Sequence, residues 1–237
     1  FVRDLSKSAK VYIVISDALR YECAEELTRE LNRDARKSGN AMHEAEITSM
    51  LGVLPSYTAL GMASLLPHES LDYKLTNSGV DVVADGTSTA GIPNRDTILC
   101  RYNGKAIKYD QLMSMSRDQG RDFVRDASVV YIYHNVIDAR GDSASTEEGT
   151  FDAVRQTIAD LQKIVNRLFD WNGSNVFITA DHGFLFQQNA PEDVDRSSLD
   201  IGAIETKVKK KRYVINPTLP NQGNAWHGKI RNTAGID

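Results

Sequence analysis

Cysteine and long hydrophobic runs are scarce in this sequence, and their scarcity excludes two classes of protein. The 237 residues include two cysteines, Cys23 and Cys100, which belong to no metal-binding or redox motif. This favours a cytoplasmic protein with two structural thiols over a secreted scaffold held together by disulfides. No apolar run approaches the roughly 18 residues that a membrane-spanning helix needs, so no membrane segment is expected. No signal peptide is recognised, and the chain does not begin with methionine.

An excess of positive charge is missing as well. The formal net charge is −4, which argues against broad, non-specific binding to nucleic acid but leaves room for a local basic patch. The basic run at residues 207–212 is interpreted either as a solvated face or, less often, as a contact to phosphates. With 41% hydrophobic and 25% charged residues, the chain has the composition of a globular protein with a substantial core. We expect one large domain over residues 1–237, as a fragment of a longer protein.

The most informative stretch is residues 175–183, where an apolar, β-branched run leads into Asp181 and His182. The run predicts a buried strand, and the pair would lie at its carboxyl end, where open α/β sheets bind their ligands. A carboxylate beside an imidazole suits zinc or a similar divalent ion. The alternative is an aspartate that caps the next helix beside an incidental histidine.

Asp17 occupies a similar position near the N-terminus. Residues 11–15 are a continuous apolar run that predicts a central parallel strand, and residues 19–37 have the periodicity of a one-faced helix. Asp17 therefore lies between strand and helix. It is interpreted either as a cap that accepts hydrogen bonds from the helix amides or as a metal ligand.

A hydroxyl group occupies a comparable position at Thr58. Pro55 and Ser56 predict the start of a short helix that ends near residues 66–67, which puts Thr58 in the first turn. Helix amides favour negative charge there. The hydroxyl is therefore interpreted either as a capping group or as a nucleophile that a metal ion deprotonates.

An acidic loop follows another strongly predicted strand, at residues 128–133. Asp138 and Asp142 lie in that loop, and Gly141 between them adds backbone freedom. Both carboxylates can face one ion, or both can belong to a solvated acidic loop. His134, at the end of the strand, is interpreted as a hydrogen-bonded structural histidine rather than a ligand.

The remaining segments differ in the strength of their signals. The most regular helix is predicted at residues 151–171, and it completes a strand–helix–strand crossover into the strand of the Asp-His pair. A further strand is predicted at residues 45–48. Residues 70–128 are interpreted as an insertion or lid without assigned chemistry. Short strands are expected within that region at residues 80–83 and 97–102.

The candidate residues share one structural position, since each follows a predicted strand or begins a helix. Carboxyl ends of parallel strands meet at one edge of a sheet, so side chains far apart in the sequence are expected to converge there. Several carboxylates at one edge repel one another unless cations balance their charge. The residues alone therefore predict a mostly parallel α/β fold with a cation site at one edge of the sheet.

The same motifs resemble those of a known family. Asp17, Thr58, Asp-x-x-Gly-Asp at 138–142 and Thr-Ala-Asp-His-Gly at 179–183 are similar to the ordered motifs of the alkaline phosphatase superfamily. More narrowly, three motifs resemble the PglZ domain of bacteriophage-exclusion (BREX) defence systems: Ser-Asp-Ala-Leu-Arg-Tyr-Glu at 16–22, Leu-Pro-Ser-Tyr-Thr-Ala-Leu-Gly at 54–61 and Thr-Ala-Asp-His-Gly-Phe-Leu at 179–185. The resemblance covers about residues 10–190. It implies a three-layer α/β/α sandwich with a mostly parallel central sheet.

The resemblance also implies one or two bound divalent ions, with zinc favoured over manganese or magnesium. The implied ligands are Asp17, Thr58, Asp181 and His182 for the first ion and Asp138 with Asp142 for the second. Many superfamily members have histidine at the position of Asp142, so a second site here is more anionic. The distal His-Gly-Gly segment of the family is not found, because His227 and Gly228 are followed by Lys229.

The implied activity is that of a metal-dependent phosphohydrolase, a phosphodiesterase on nucleotides or nucleic acid, in anti-phage defence alongside other BREX proteins. Thr58 would attack phosphorus and form a covalent phospho-threonine, which water then hydrolyses. One alternative is a catalytically weak, metal-stabilised scaffold within a multi-protein defence complex. The substituted Asp142 and the missing distal histidine favour that alternative. Transfer of the phosphoryl group, rather than its hydrolysis, is a third option.

Overall fold

A parallel β-sheet forms the centre of the fold in the computed structural model of the chain. The structure describes residues 2–37, 44–77, 79–141, 149–185, 192, 194, 208–210, 212–219, 226–229 and 232. The strands are β1 (Val11–Ser16), β2 (Leu71–Thr76), β3 (Gly79–Ala84), β4 (Thr87–Ser88), β5 (Gly104–Lys108), β6 (Val129–His134), β7 (Asn175–Thr179), β8 (Val208–Lys209) and β9 (Val214–Ile215). The helices are α1 (Val2–Leu5), α2 (Tyr21–Lys37), α3 (Thr58–Ser64), α4 (Gly91–Cys100), α5 (Tyr109–Ser114), α6 (Arg117–Val124), α7 (Ile137–Gly141) and α8 (Thr150–Asp170).

The central sheet has the strand order β5–β6–β1–β7, and its pairings are all parallel. Strand β1 lies between two neighbours, with Ile15 beside Tyr133 of β6 and Thr179 of β7. The predicted central strand and the predicted α/β class are therefore confirmed. Because these strands run in one direction, their carboxyl ends lie at one edge of the sheet.

Both faces of this sheet are covered, which produces three layers. The side chains of β1 alternate between two cores, since Tyr12 and Val14 pack on one side and Val11, Ile13 and Ile15 on the other. Helices α2, α5, α6 and α8 cover the first face. Helices α3 and α4, with the antiparallel sheet β2–β3–β4, cover the second. Burial on both faces explains why the strand is a continuous apolar run rather than an alternating one.

Helix α8 lies within one residue of its predicted bounds at each end. It buries Leu161, Ile164 and Leu168 in the first core. The chain then enters β7, which pairs with β1. The predicted strand–helix–strand crossover is therefore confirmed.

Helix α2 begins two residues later than predicted. Ala18 has a positive φ of 63°, and the amide of Leu19 donates to the carbonyl of Ser16 in a turn. Helical geometry cannot begin until this turn is complete. The periodic positions Cys23 and Leu27 are buried as expected.

Residues 45–48 do not form the predicted strand, and the structure describes them without helix or strand. The amide of Ala45 donates to Oδ1 of Asn32 at 2.7 Å, and Nδ2 of Asn32 donates to the carbonyl of Ala45 at 2.9 Å. A side chain of α2 thus takes the place of a neighbouring strand. The prediction was wrong because the sequence pattern does not show whether the backbone of this segment forms hydrogen bonds with a strand or with a side chain.

Residues 70–128 are more closely integrated than a single insertion would be. Strands β2, β3 and β4 form an antiparallel sheet, which contains the predicted strand at residues 80–83. Residues 97–102 instead form the end of α4 and the following turn, because Pro93 favours a helix start and Ile98 is buried on one helix face. Strand β5 joins the edge of the central sheet. The second half of the region therefore belongs to the central fold, and a lid role stays a prediction for the first half.

The two cysteines are not joined by a disulfide. Cys23 is buried in the core, whereas Cys100 is exposed, so only Cys23 has a packing role. In the part of the chain that the structure describes, no helix has both the length and the hydropathy that a bilayer crossing requires.

Candidate metal centre

The carboxyl ends of β1 and β7 and the start of α3 bring four of the predicted site residues together. Asp17 directly follows β1, Asp181 and His182 follow β7, and Thr58 is the first residue of α3. From Nε2 of His182, the distances are 2.9 Å to Oγ1 of Thr58, 3.5 Å to Oδ1 of Asp17 and 3.4 Å to Oδ2 of Asp181. Side chains from three separate parts of the chain therefore surround one point.

The imidazole of His182 is oriented for coordination. Its Nδ1 lies 2.9 Å from the carbonyl oxygen of Gly183, and only a protonated Nδ1 can donate to a carbonyl. The neutral ring then carries its lone pair on Nε2, the atom that faces Thr58 and the two carboxylates. Metal-binding histidines usually donate from one ring nitrogen in this way and coordinate through the other.

Two buried carboxylate oxygens at this point lack a hydrogen-bond partner. Asp17 and Asp181 are 3% and 5% exposed. Neither Oδ1 of Asp17 nor Oδ2 of Asp181 accepts a hydrogen bond from the described residues. Burying a carboxylate oxygen without a partner is costly. A divalent cation would supply the partner for both oxygens at once, so the chemistry of these residues fits a bound metal ion.

The crowding of carboxylates also changes their protonation. Burial, followed by the charges of Asp181 and Asp138, raises the pKa of Asp17 to about 8, and the positive charge of Arg95 opposes this shift. Without a cation, the Asp17 carboxyl therefore holds its proton through neutral pH. A cation that binds here displaces the proton, so metal affinity is expected to rise with pH.

The candidate ligand atoms are close enough together for one cation to contact several of them. Four ligands at about 2.0–2.1 Å from zinc in a tetrahedron lie about 3.3–3.4 Å from one another. The three separations from Nε2 of His182 lie between 2.9 and 3.5 Å. The ligating atoms of Asp17, Asp181 and His182 all lie within 4.8 Å of one another. An imidazole nitrogen together with carboxylate oxygens is a ligand set that divalent transition-metal ions accept.

Close backbone contacts hold these side chains in place. A Cβ atom on Gly61 would lie 2.4 Å from the carbonyl oxygen of Asp181, so glycine is needed for α3 to approach the end of β7 this closely. The amide of Ala18, a residue with a left-handed φ of 63°, donates to Oδ1 of Asp181 at 3.2 Å. The sequence interpretation missed both roles. A glycine inside a predicted helix was the available signal for Gly61.

The capping roles considered for Asp17 and Thr58 are not the observed ones. Helix α2 begins at Tyr21, so Asp17 lies too far upstream to be its cap. The cap residue of α3 is Tyr57, which makes no side-chain capping bond, and Thr58 is already helical. Both side chains instead approach Nε2 of His182.

The residues predicted for a second ion are placed differently. Asp138 lies in the first turn of α7, close enough for its charge to raise the pKa of Asp17. Among the described residues, the group that could hold an ion consists of Asp17, Asp181 and His182, without Asp138 or the exposed His227. Asp142 lies outside the described residues. A second metal position therefore stays a prediction.

His134 is held within the core. Its Nδ1 lies 3.2 Å from Oγ of Ser16, and its Nε2 lies 3.8 Å from Oδ2 of Asp160 on α8. Burial lowers the pKa of His134, so the ring is neutral. These contacts support the structural role that the sequence indicated.

Arg95 is a charged neighbour of the site that the sequence did not indicate. Its guanidinium lies over the ring of Tyr133, 4.9 Å from the centroid, and its Nε donates to the carbonyl of Thr89 at 2.9 Å. Its positive charge lowers the pKa of Asp17 and so opposes the increase that burial and the neighbouring carboxylates cause. No motif marks Arg95, because α4 lies in the region to which the sequence assigned no chemistry.

Comparison with known proteins gives an independent result. Residues 1–237 match the family described as the BREX system PglZ alkaline phosphatase-like domain. The chain is 50% identical to the alkaline phosphatase-like protein BrxZ of Escherichia coli O9:H4 (strain HS) over 231 residues, which cover 96% of this chain and 26% of that protein. It is 41% identical to the alkaline phosphatase-like protein PglZ of Bacillus cereus (strain H3081.97) over 215 residues, which cover 90% of this chain and 24% of that protein. The chain therefore spans about a quarter of the length of these curated relatives. No solved structure matches it.

Proposed function

The chain belongs to the family of BREX system PglZ alkaline phosphatase-like domains, and from this premise we propose that it is a metal-dependent phosphohydrolase. We further propose a phosphodiesterase that acts on nucleotide or nucleic-acid phosphodiesters in the cytoplasm. It would serve anti-phage defence together with other BREX proteins. Because the chain spans about a quarter of its relatives, the activity and partners of the whole protein are part of the proposal.

The position of Thr58 is the observation that supports this proposal. Its hydroxyl oxygen lies 2.9 Å from Nε2 of His182, beside the buried, unpartnered oxygens of Asp17 and Asp181. A hydroxyl that shares a cation with these ligands loses its proton more readily. The resulting alkoxide is a nucleophile suited to attack on phosphorus.

The proposed reaction consists of two displacements. Asp17, Asp181 and His182 would hold a divalent ion, for which we propose zinc, and this ion would lower the pKa of the Thr58 hydroxyl and offset charge on the phosphoryl oxygens. The Thr58 oxygen would attack phosphorus while the bond to the leaving oxygen breaks and that oxygen takes up a proton from water, which gives a phospho-threonine ester with the second organic group of the substrate still on phosphorus. Water would then hydrolyse this ester and restore the hydroxyl. Asp138 and Asp142 would serve a second ion, with manganese or magnesium as alternatives to zinc.

Hydrolysis of bis(p-nitrophenyl) phosphate by the intact protein, with and without added zinc or manganese, tests the proposal. We expect metal-dependent release of p-nitrophenol. Thr58→Ala should lower kcat by at least about 100-fold because the nucleophile is lost. Circular dichroism would verify that the variant is folded.

The matched control is Thr97→Ala. Thr97 is exposed on α4, and its hydroxyl donates to the carbonyl of Pro93 in the same helix at 3.0 Å. This variant should retain full turnover. Metal-dependent turnover that survives Thr58→Ala would overturn the proposed role of Thr58.

A metal-stabilised scaffold with little turnover is the second candidate. The candidate ligands favour this alternative. Within the described residues, Asp17, Asp181 and His182 form one group that could hold one ion, and Asp138 does not belong to it. Two-ion phosphoryl-transfer sites instead hold their cations about 3.5–4 Å apart. If the protein is a scaffold, zinc would bind and raise its unfolding temperature. The intact protein would not, however, hydrolyse bis(p-nitrophenyl) phosphate in the presence of either zinc or manganese.

A further inference from the structure

A cleft of about 460 Å³ opens beside Asp181 and His182. Its walls come from the start of α2, the segment before α3, the residues after β7, and Arg212. Clefts that bind small ligands range from about 300 to 1,000 Å³, so this one is large enough for a nucleotide. A group held here would lie next to the proposed nucleophilic centre, which makes the chemistry of the walls informative about the substrate.

Arg20 forms a fixed cationic wall of the cleft. Its Nη2 lies 2.5 Å from Oε1 of Glu22, and its Nε donates to Oε2 of the same residue at 3.2 Å. Its guanidinium also lies over the ring of Phe184, 5.1 Å from the centroid. A Cβ atom on Gly183 would lie 3.2 Å from Cγ of Arg20, so the stem of this arginine packs directly beside the segment that carries His182. Contacts on several sides therefore hold the guanidinium in place.

Arg212 adds a second cation from a distant part of the chain. The neighbouring ring of Tyr213 lies 5.3 Å from that of Tyr57, the residue before Thr58. This contact anchors the segment between β8 and β9 next to the start of α3. Arg212 lines the cleft and, within the described residues, forms no ion pair, whereas Lys209 and Lys210 of the same basic run are exposed elsewhere. The structure thus ties one residue of the basic run to the site.

Tyr21 supplies an aromatic surface at the same cleft. Its side chain is 51% exposed although it lines the cleft. A half-exposed ring in a cleft that two arginines also line is a combination with which proteins hold nucleotides, since the ring stacks on a base and the cations bind phosphate. Arg20 already has Glu22 as a partner of opposite charge, so an uncharged apolar occupant would leave Arg212 as the arginine of the cleft without one among the described residues.

We propose that this cleft binds the nucleoside part of a nucleotide phosphodiester, an inference that rests on the proposed phosphodiesterase function. The base stacks on Tyr21, and the phosphate oxygens contact Arg212 and the outward donors of Arg20. The cleft would thereby set the specificity of the reaction for nucleotide esters over simple ones.

Two chromogenic esters with the same leaving group test the proposal on the intact, zinc-loaded protein. Thymidine p-nitrophenyl phosphate contains a nucleoside, and methyl p-nitrophenyl phosphate contains none. The measured quantity is the ratio of their kcat/KM values. We expect the unmodified protein to prefer the nucleoside ester by about tenfold or more, and Tyr21→Ala and Arg212→Gln to lower that ratio about fivefold or more.

Two matched controls should leave the ratio unchanged. Phe151→Ala removes an aromatic side chain that is also 51% exposed, and Arg155→Gln removes an exposed arginine of α8. A ratio near one in the unmodified protein, or a ratio that Tyr21→Ala leaves intact, would overturn the cleft proposal while the phosphodiesterase function stands.

A binding measurement separates the two proposals if neither ester is hydrolysed. The fluorescent nucleotide etheno-AMP would be titrated into the metal-free protein. Binding that Tyr21→Ala and Arg212→Gln weaken, and that Phe151→Ala does not, supports the cleft even though the phosphodiesterase function has failed. Absence of binding, or equal binding by all variants, rejects the cleft.

Discussion

At Asp17, a proton and the proposed metal ion would compete for the same carboxylate. Burial and the charges of Asp181 and Asp138 raise the pKa of this group to about 8 from an ordinary value of 3.8. The folded, metal-free protein therefore retains a proton that the unfolded chain releases. The contribution that the protonated Asp17 carboxyl makes to the free energy of unfolding is fully present below about pH 4 and is lost as the pH rises towards 8. The metal-free fold should be least stable at the pH at which it binds metal best.

Replacement of Asp17 by asparagine should remove this pH dependence. In EDTA, the unfolding temperature of the unmodified protein is expected to fall between pH 5 and pH 8, whereas that of Asp17→Asn should fall less, because the neutral amide has no proton to lose. Thermal unfolding followed by circular dichroism at several pH values measures the difference. Glu25→Gln on the exposed face of α2 is the control and should behave like the unmodified protein. Parallel pH profiles for Asp17→Asn and the unmodified protein would contradict the argument.

The elements differ in how clearly the sequence predicts them. Strands β1 and β6 and helix α8 are regular and carry the pattern of a buried element, whereas β7 carries an apolar run but is half-buried, because it lies at an edge of the sheet. Strand β5 was missed because Lys105 and Lys108 interrupt its apolar pattern, whereas β7, an edge strand of the same five-residue length, contains the apolar run Val176-Phe177-Ile178. Proximity of Asp17, Asp181 and His182 was predictable, since strand ends of a parallel sheet converge, whereas Thr58 begins α3 without a strand of this sheet directly before it in the described residues. The contacts of Gly61 and Arg95 were not predictable from the sequence, because they depend on how closely α3 and α4 approach the sheet.

The approach of α3 to the sheet can be tested at Gly61. In Gly61→Ala, the new methyl group would meet the backbone of Asp181 at 2.4 Å, so α3 must move and Thr58 must withdraw from His182. We expect zinc affinity to fall about tenfold or more, as for other residues that support metal ligands. The free energy of unfolding should fall by about 1–3 kcal/mol, although alanine is the better helix former. Isothermal titration calorimetry with zinc and urea unfolding measure the two effects.

Gly149→Ala is the matched control for that substitution. Gly149 precedes α8 with a φ of −76°, and a Cβ atom there would have no neighbour within 4 Å. Its stability should be unchanged or slightly higher, and its zinc affinity unchanged. If Gly61→Ala bound zinc as tightly as Gly149→Ala, close packing of α3 would not position the site.

For the molecule as a whole, the candidate metal centre is a point where distant segments are joined. Asp17 and His182 follow the paired strands β1 and β7, and Thr58 begins α3, which packs against one face of the sheet. In the unfolded chain these ligands are far apart. The proposed metal ion would therefore bind the native state in preference to the unfolded state, and its binding free energy would add to the stability of the entire fold.

Zinc should consequently raise the unfolding temperature, and the increase should depend on His182. At a free zinc concentration of about 100 times Kd, the free energy of unfolding rises by about 2.7 kcal/mol, which corresponds to about 5–10 °C for a domain of this size. His182→Ala removes the nitrogen that approaches Thr58, Asp17 and Asp181, so most of the increase should disappear. The control is His68→Ala, because Nδ1 of His68 contacts the carbonyl of Leu66 and lies outside the ligand group. Differential scanning calorimetry with and without zinc gives the comparison. An equal zinc-induced increase in both variants would place the bound ion away from the ends of β1 and β7, whereas an increase retained only in His68→Ala ties metal binding to the convergence of these strands.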